Sequence, residues 1–217
     1  GVGGFIGYMQ DLKQGTVVSF EDCVNNGNVT GSSDDVGGFV GEMRSNINFT
    51  ISNTINNGII KGDARVGGFI GIIPGGTNMI IIILNSTNSG CVFGGQYVGG
   101  IIGAIVCNTN GSTTISNTIN NGDITGSWND VGGFVGAVSY FVDSYSMSFN
   151  ILNSANKGSV SDTRGKACGF FCVGPNNEVR IMVKNSINKG SVNATTDGYG
   201  ITNNITEARN VVSMGDV

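Results

Sequence analysis

The stretch Val131-Gly132-Gly133-Phe134-Val135-Gly136 decides the fold, because its pattern returns along the whole chain. Other copies occupy residues 2–7, 36–41, 66–71 and 98–103, the last with Ile101 in place of the Phe. Degraded copies begin at Ala167 and near Gly198. Successive copies lie about 30 to 36 residues apart, a spacing typical of solenoids, propellers and repeat arrays. The sequence is therefore that of a repeat protein.

Composition narrows the classes of function. Charged residues make up 12% of the 217 residues, the net charge is −4, and no basic cluster is present, so we expect no nucleic-acid partner. Hydrophobic residues at 39% are too many for a disordered chain. The longest apolar run, residues 79–84, is far too short to cross a bilayer. We predict a single repeat domain over residues 1–217, with no membrane span.

A second pattern follows each Val-Gly-Gly-Phe block and has the period of a β-strand. Residues 113–124 read Thr-Thr-Ile-Ser-Asn-Thr-Ile-Asn-Asn-Gly-Asp-Ile, and residues 49–60 are nearly identical. Apolar, mostly β-branched residues recur at every second position, which predicts strands. Aligning the repeats gives three columns that we expect to face the core. They are Phe20, Ile51, Ile83, Ile115, Ile151, Val183 and Ile205; Val29, Ile60, Val92, Ile124, Val160, Val192 and Val217; and Val24, Ile55, Thr87, Ile119, Ala155 and Ile187, with Arg209 breaking the third.

Three short strands and three corners per repeat predict a right-handed parallel β-helix of about seven coils, an all-β fold. An unbroken Asn column with Gly two residues later predicts one corner, because both residues tolerate positive φ. That column is Asn25, Asn56, Asn88, Asn120, Asn156, Asn188 and Asn210. The Gly37-Gly38 pair predicts a second corner that lets Val36 and Phe39 both face inward. A seven-bladed propeller is the competing fold, but a blade needs about 40 residues or more.

Together, the block Val131–Gly136 and the segment Ile-Ser-Asn-Thr-Ile-Asn-Asn-Gly-Asp-Ile-Thr-Gly resemble the GLUG-type repeats. These repeats occur in large bacterial and protist surface proteins, in adhesins and in some secreted peptidases. Cys23 matches the Cys that the family often has after the central Asn, whereas Val24 stands where an aromatic residue is common. The resemblance implies an extracellular spacer or adhesive module. It implies no catalytic residue, because the chemistry of these proteins, where present, lies in other domains.

A polar column offers the main candidate for a structural ladder. It contains Asn53, Asn85, Asn117, Asn153 and Asn185, preceded by Asp22 and followed by Glu207. A stacked side-chain amide can donate to one coil and accept from the other. The functional alternative is a polar stripe that binds a ligand. We favour the ladder, because apolar columns lie two residues away on either side.

Acidic residues cluster in the third turn, where a stacked row could hold calcium. They are Asp34, Asp35, Asp63, Asp130, Asp162 and Asp197. Asp is also a common turn residue, and no calcium-binding nonapeptide signature is present. The chain has no His, the commonest general base. We expect no cofactor, no metal, no catalytic residue and no enzyme activity. The alternatives are a carbohydrate-active β-helix enzyme and a glycan-binding module.

The cysteines and the glycosylation sequons leave the compartment open. Cys168 and Cys172 would lie about 13 Å apart in one extended strand, too far for a disulfide. Sequons of the form Asn-x-Ser/Thr accept N-glycans in secreted eukaryotic proteins. They occur at Asn28, Asn48, Asn85, Asn110, Asn193 and Asn204, about the number that chance gives in a chain so rich in Asn, Ser and Thr.

The two ends of the sequence suggest how the protein associates. The chain begins on one repeat motif and stops on another, and neither end reads as a polar or helical cap. We expect an extracellular or cell-surface protein that stacks head-to-tail on itself, or on further repeats of a longer chain. The joint would bring Asp22 of one copy against Glu207 of the next, with Arg209 beside them. Glycans are a further expected partner.

Overall fold

In the computed structural model the chain winds as a parallel β-solenoid, which confirms the predicted fold class. The structure describes residues 1–44, 46–106, 110–139, 147–173, 179–200 and 207–215. This part of the chain forms 33 short strands. It contains no helix that is long and apolar enough to cross a membrane.

Five parallel sheets run along the solenoid, here called sheets I to V in the order in which the chain meets them. Sheet I contains β1 (Val2–Gly3), β6 (Val36–Gly37), β11 (Ala64–Gly67), β16 (Gln96–Gly99), β21 (Asn129–Gly132), β26 (Ala167–Cys168) and β31 (Gly198–Tyr199). Sheet II contains β2 (Ile6–Gln10), β7 (Val40–Arg44), β12 (Ile70–Ile73), β17 (Ile102–Val106), β22 (Val135–Ser139) and β27 (Phe171–Val173).

Sheet III contains β3 (Val17–Glu21), β8 (Asn48–Ser52), β13 (Ile80–Leu84), β18 (Ser112–Ser116), β23 (Met147–Leu152), β28 (Val179–Lys184) and β32 (Glu207–Arg209). Sheet IV contains β4 (Val24–Asn25), β9 (Ile55–Asn56), β14 (Thr87–Asn88), β19 (Ile119–Asn120), β24 (Ala155–Asn156), β29 (Ile187–Asn188) and β33 (Val212–Ser213). Sheet V contains β5 (Val29–Thr30), β10 (Ile60–Lys61), β15 (Val92–Phe93), β20 (Ile124–Gly126), β25 (Val160–Asp162) and β30 (Val192–Ala194).

Each complete coil thus has five short strands where the sequence predicted three. The described residues make six complete coils and three strands of a seventh, in line with the predicted number. The two additional strands arise because corners divide both repeat patterns. The Gly-Gly pair separates the strand of sheet I from that of sheet II, and a central Asn separates sheet III from sheet IV. Val36 and Phe39 are both fully buried on either side of the Gly-Gly corner, as predicted.

The interior contains two hydrophobic clusters. The larger consists mainly of Phe, Ile and Met from sheets II and III and from the Gly-Gly-Phe corner. Its aromatic rings stack from coil to coil, with centroids 4.8 Å apart for Phe5 and Phe39 and 5.2 Å apart for Phe39 and Phe69. The smaller cluster is a row of Val, Ile and Ala from sheets I and V, which includes the predicted column from Val29 to Val192. Val217 of that column lies outside the described residues.

The third predicted core column faces solvent. Its members pair in register from Val24 through Ile187, but Val24 is 46% exposed and Ile55 is 37% exposed. The cause is the residue at the preceding corner, which has a positive φ in every coil, for example 50° at Asn117. One left-handed residue inverts the in–out alternation of a strand, so Ile115 points inward and Ile119 points outward. This expectation was wrong.

The register of the last coil also differs from the sequence alignment. Val183 pairs with Ala208, and Ile187 pairs with Val212. Ile205, which we expected opposite Val183, lies outside the described residues. Arg209 pairs with Lys184 and does not join the column of Ile187. The extra residues in this coil therefore precede β32.

We predict that Ile115→Ala lowers the free energy of unfolding by about 2–5 kcal/mol, because it leaves a cavity in a fully buried column. Ile119→Ala, in the same coil but facing outward, is the matched control, and we expect a cost below about 1 kcal/mol. Chemical denaturation followed by circular dichroism measures both. Equal costs would contradict the inverted alternation.

Candidate functional site

A buried ladder of side-chain amides runs through the solenoid. Asn56, Asn88, Asn120, Asn156 and Asn188 are fully buried, and Asn25 is 8% exposed. Each Nδ2 donates to the Oδ1 of the next coil at 2.7–2.8 Å, from Asn25 through Asn188. In the last coil Ser213 takes the place of Asn, and its Oγ lies 3.5 Å from Asn188 Nδ2. The ladder therefore has one direction along the axis.

The surroundings of each rung explain why glycine accompanies it. The second Nδ2 hydrogen of Asn120 goes to the carbonyl oxygen of Gly122 at 2.9 Å. A Cβ on Gly122 would lie 2.0 Å from the carbonyl oxygen of Gly90 in the preceding coil. A Cβ on Gly100, in the Gly-Gly corner, would lie 2.6 Å from Cγ of Asn120. The Asn-containing repeat pattern and the Gly-Gly-Phe pattern thus meet inside the solenoid, where the Asn amide lies against the glycine backbone of the Gly-Gly corner.

The residues predicted as the ladder form the exposed corner instead. Asn53, Asn85, Asn117, Asn153 and Asn185 are all exposed and have φ of 50–52°. Some of their side chains still bond between coils, Asn117 to Asn85 at 3.2 Å and Asn185 to Asn153 at 3.1 Å. The expectation that this column is buried was wrong. The chain does turn after the Asn25 column, between sheets IV and V, as predicted, but the positive φ belongs to the Asn53 column.

A row of small side chains, missed in the sequence, lies buried between these two Asn columns. Its members are Thr54, Ser86, Thr118, Ser154 and Ser186. The Ser154 hydroxyl donates to the carbonyl oxygen of Leu152 at 2.7 Å and accepts from the Thr118 N–H at 3.2 Å. The sequence did contain a signal for this buried row, because six successive repeats have Cys, Ser or Thr at this position, which indicates a site with little space.

The residues of the predicted joint do not lie in one column. The column of Asp22 continues to Asn185 and ends in Asn210, whose Nδ2 donates to Asn185 Oδ1 at 2.9 Å. Glu207 pairs with Met182, and Arg209 pairs with Lys184, both in sheet III. If two copies stacked in register, Asp22 of one copy would lie against the Asn210 amide of the other. The charge repulsion expected between Asp22 and Glu207 therefore does not arise. That expectation was wrong because it misplaced the last coil by three residues.

The first coil presents an uncovered stacking face. All five of its strands, β1 to β5, are at the edges of their sheets. Phe5 is 49% exposed, whereas its counterparts Phe39 and Phe69 are fully buried. The plane of the Phe5 ring is tilted by only 2° from that of Phe39, so its outer face is where another ring of the stack would lie. Phe5 is therefore the first ring of the aromatic stack in this structure.

The sequons and the cysteines occupy different environments. Asn28, Asn85, Asn110 and Asn193 are exposed, Asn48 is half-buried, and Asn204 lies outside the described residues. Cys168 and Cys172 form a disulfide with Cα atoms 5.6 Å apart, which overturns the expectation that they are too far apart. The chain turns between them at the Gly-Phe corner, so they are not on one extended strand. They stand where intact repeats have the first and last Gly of the block.

The acidic side chains do not form the stacked row considered for calcium. Arg65 bridges two of them, Asp35 through its Nε and Asp34 at 2.8 Å through its Nη2. Asp63 and Asp197 are exposed, and Asp162 is buried. Its Oδ1 accepts the N–H of Arg164 and the N–H of Gly165, while Oδ2 is unpaired. Within the described ranges, no three His, Cys, Asp or Glu side chains lie close enough to hold a metal ion.

One carboxyl group has a perturbed acidity. Burial raises the pKa of Asp130 above its usual range, Lys166 opposes the rise, and the charge of Asp162 adds to it. The folded protein therefore holds the Asp130 proton more tightly than the unfolded chain does. At neutral pH the ionised group disfavours the folded state, and this cost is relieved as the pH falls through the raised pKa.

Comparison with known proteins supports the fold. No protein-family model matches the chain, and no curated protein does. A solved structure named "Crystal structure of a putative immunoglobulin A1 protease from Bacteroides ovatus" is similar, with a TM-score of 0.52 and 17% sequence identity. The match covers 92% of this chain and 73% of the Bacteroides ovatus chain. At this identity the likeness shows a shared fold.

This comparison corrects one expectation from the sequence. We expected that the chain is not an enzyme, from the fold and from the lack of His. The similar solved structure is named as that of a protease, so the same fold occurs in a protein that carries the name of an enzyme. The exclusion of enzyme activity is therefore withdrawn.

We predict that Asn120→Ala costs roughly 2–6 kcal/mol, because two buried amide groups lose a partner worth about 1–3 kcal/mol each. Those groups are Asn88 Nδ2 and Asn156 Oδ1. Asn121→Ala, at the adjacent exposed position, is the control, with an expected cost below about 1 kcal/mol. Thermal and urea unfolding measure both. Similar values for the two variants would contradict the buried ladder.

We predict that Asp130→Asn stabilises the protein at pH 7, because it removes a buried charge that burial disfavours. The advantage over the wild type shrinks as the pH falls through the raised pKa of Asp130 and is lost below the usual Asp pKa of about 3.9. Melting temperatures from pH 3 to pH 8 give the comparison, with the exposed Asp63→Asn as the control. A constant difference across that range would refute this origin.

Proposed function

We propose that the chain is a β-solenoid repeat module of an extracellular or cell-surface protein, a spacer or adhesive element that continues at its ends into further coils of the same kind. The observation that carries the proposal is the contact that each coil repeats with the next one: strands paired in register, stacked Phe rings and an Asn ladder that runs in one direction. Strands at the edges of such sheets are templates for pairing with another chain. The matching surface is another coil of the same repeat.

The ladder gives this association a direction. Each Asn donates toward the C-terminal end, so a donor from a preceding coil would reach Asn25 Oδ1, which in this structure accepts the Gly27 N–H at 3.1 Å. The far end presents β33, with Val212 48% exposed and Met214 68% exposed. A head-to-tail joint is a heterologous contact, and such a contact builds an open filament where the rotation does not close a ring.

Two further observations support the extracellular setting. Disulfides such as Cys168–Cys172 persist mainly in oxidising compartments. The repeat also resembles GLUG-type repeats of surface proteins and secreted peptidases. The similar Bacteroides ovatus protein is named as a protease, so we include peptidases among the parent proteins for which the module is proposed.

We predict that the protein forms concentration-dependent head-to-tail oligomers. Analytical ultracentrifugation should show association, and negative-stain microscopy should show rods longer than one molecule. Phe5→Asp should weaken the association by at least about tenfold, or 1.4 kcal/mol, because it places a carboxylate against the aromatic stack. Ile80→Asp is the matched control and should associate normally, because Ile80 is 43% exposed on the outer surface of a middle coil, in a strand already paired on both sides.

A monodisperse monomer at every concentration would rule out self-association of this chain. It would leave only the form of the proposal in which further coils of the same chain cover this face. Loss of association in Ile80→Asp to the same degree as in Phe5→Asp would show that the contact does not use the stacking face.

A further inference from the structure

A groove crosses three successive coils at the turn that follows sheet V. It has a volume of about 270 Å³ and is lined by Lys61, Gly62, Asp63, Phe93, Gly94, Gly95 and Ser127. It exists because the third coil has Gly95 where its neighbours have Asp63 and Ser127. The backbone holds the three turns together, since the Gly95 N–H donates to the Asp63 carbonyl at 2.6 Å and the Ser127 N–H donates to the Gly95 carbonyl at 3.2 Å.

The groove has an uncovered aromatic wall. Phe93 points outward from sheet V and is 37% exposed, although Lys61 and Thr125, its neighbours in the adjacent coils, are both polar. Trp128 follows Ser127 in the chain without lining the groove; it is 53% exposed and has the Arg164 guanidinium 5.2 Å from its ring centre. Aromatic rings normally bury their large apolar surface, so the exposed Phe93 ring inside the groove indicates a surface for a ligand.

The polar side chains of the groove have free hydrogen-bonding capacity. Within the described chain, the Lys61 ammonium, the Asp63 carboxylate and the Ser127 hydroxyl make no hydrogen bond or ion pair. A Cβ at Gly95 would lie 3.2 Å from Asp63 Oδ1, so this carboxylate borders the space that the missing side chain leaves. The groove therefore combines a cation donor, an anion acceptor and a hydroxyl around an aromatic face.

We infer that this groove binds a neutral carbohydrate. A hexose ring has an apolar face of C–H groups, which packs on an aromatic ring, and a rim of hydroxyl groups, which donate to a carboxylate and accept from an ammonium. The groove is smaller than the roughly 300–1,000 Å³ of drug-sized pockets, which suits a single sugar ring of an oligosaccharide. One positive and one negative side chain balance each other, which disfavours polyanions and polycations.

The test uses lactose, cellotetraose and chitotetraose at millimolar concentration with the wild-type protein. Saturation-transfer NMR should show contact from the protein to ring C–H protons of at least one of these sugars. Trp128 is the one tryptophan of the chain, so a saturable change in its fluorescence should accompany binding. Phe93→Ala should abolish both signals, and Asp63→Asn should weaken binding by about tenfold through the loss of charge-assisted hydrogen bonds.

Tyr8→Ala is the matched control, because Tyr8 of the first coil is an exposed aromatic residue with a cationic neighbour, Arg44 of the second coil. It should bind sugar like the wild type. Phe93 lies outside the core, so circular dichroism should show Phe93→Ala to be folded. Absence of saturation transfer to all three sugars would overturn the inference, as would transfer that persists in Phe93→Ala. The outcome is independent of whether the molecules associate end to end.

Discussion

A parallel solenoid places each residue about 4.8 Å from its counterpart in the next coil, and the structure depends on which groups tolerate such a neighbour. An amide does, because it donates on one side and accepts on the other, as Asn88 does between Asn56 and Asn120. Aromatic rings do as well, by stacking. Like charges repel at this distance, and Asp34 and Asp35 accordingly face the opposite charge of Arg65 in the next coil.

The interior is divided by its polar row. The Asn ladder and the glycines that contact it lie between the Phe- and Ile-rich cluster and the Val-rich cluster along the chain. A buried amide is costly unless every donor and acceptor is used, so the ladder specifies the register between coils. One deviation from the repeat comes with a compensating change. Asp162 replaces Gly126 of the preceding coil, and Ala167 replaces Val131, whose methyl group would lie 2.3 Å from a Cβ on Gly126.

The sequence was sufficient for the fold class, because repeat length and strand period do not depend on where each corner lies. The sequence did not show which residues of each strand face the core. One positive-φ residue per coil, such as Asn117, inverts the alternation between inward and outward side chains, and a count of the strand period does not detect that inversion. Two clues could have placed the corner. The Asn117 column begins with Asp22, which suits a left-handed corner but not a buried amide ladder, and the Thr118 position has Cys, Ser or Thr in six successive coils. The groove beside Phe93 was not predictable, because it depends on one glycine.

The central claim is that Asn56, Asn88, Asn120 and Asn156 form the buried ladder and that Asn53, Asn85, Asn117 and Asn153 form the exposed corner. Side-chain amide hydrogen exchange, resolved by NMR on the assigned protein, tests it most directly. The account predicts slow exchange of the Nδ2 hydrogens in the first set and fast exchange in the second, because only buried, bonded amides are protected. The reverse pattern, or equally fast exchange in both sets, would contradict it.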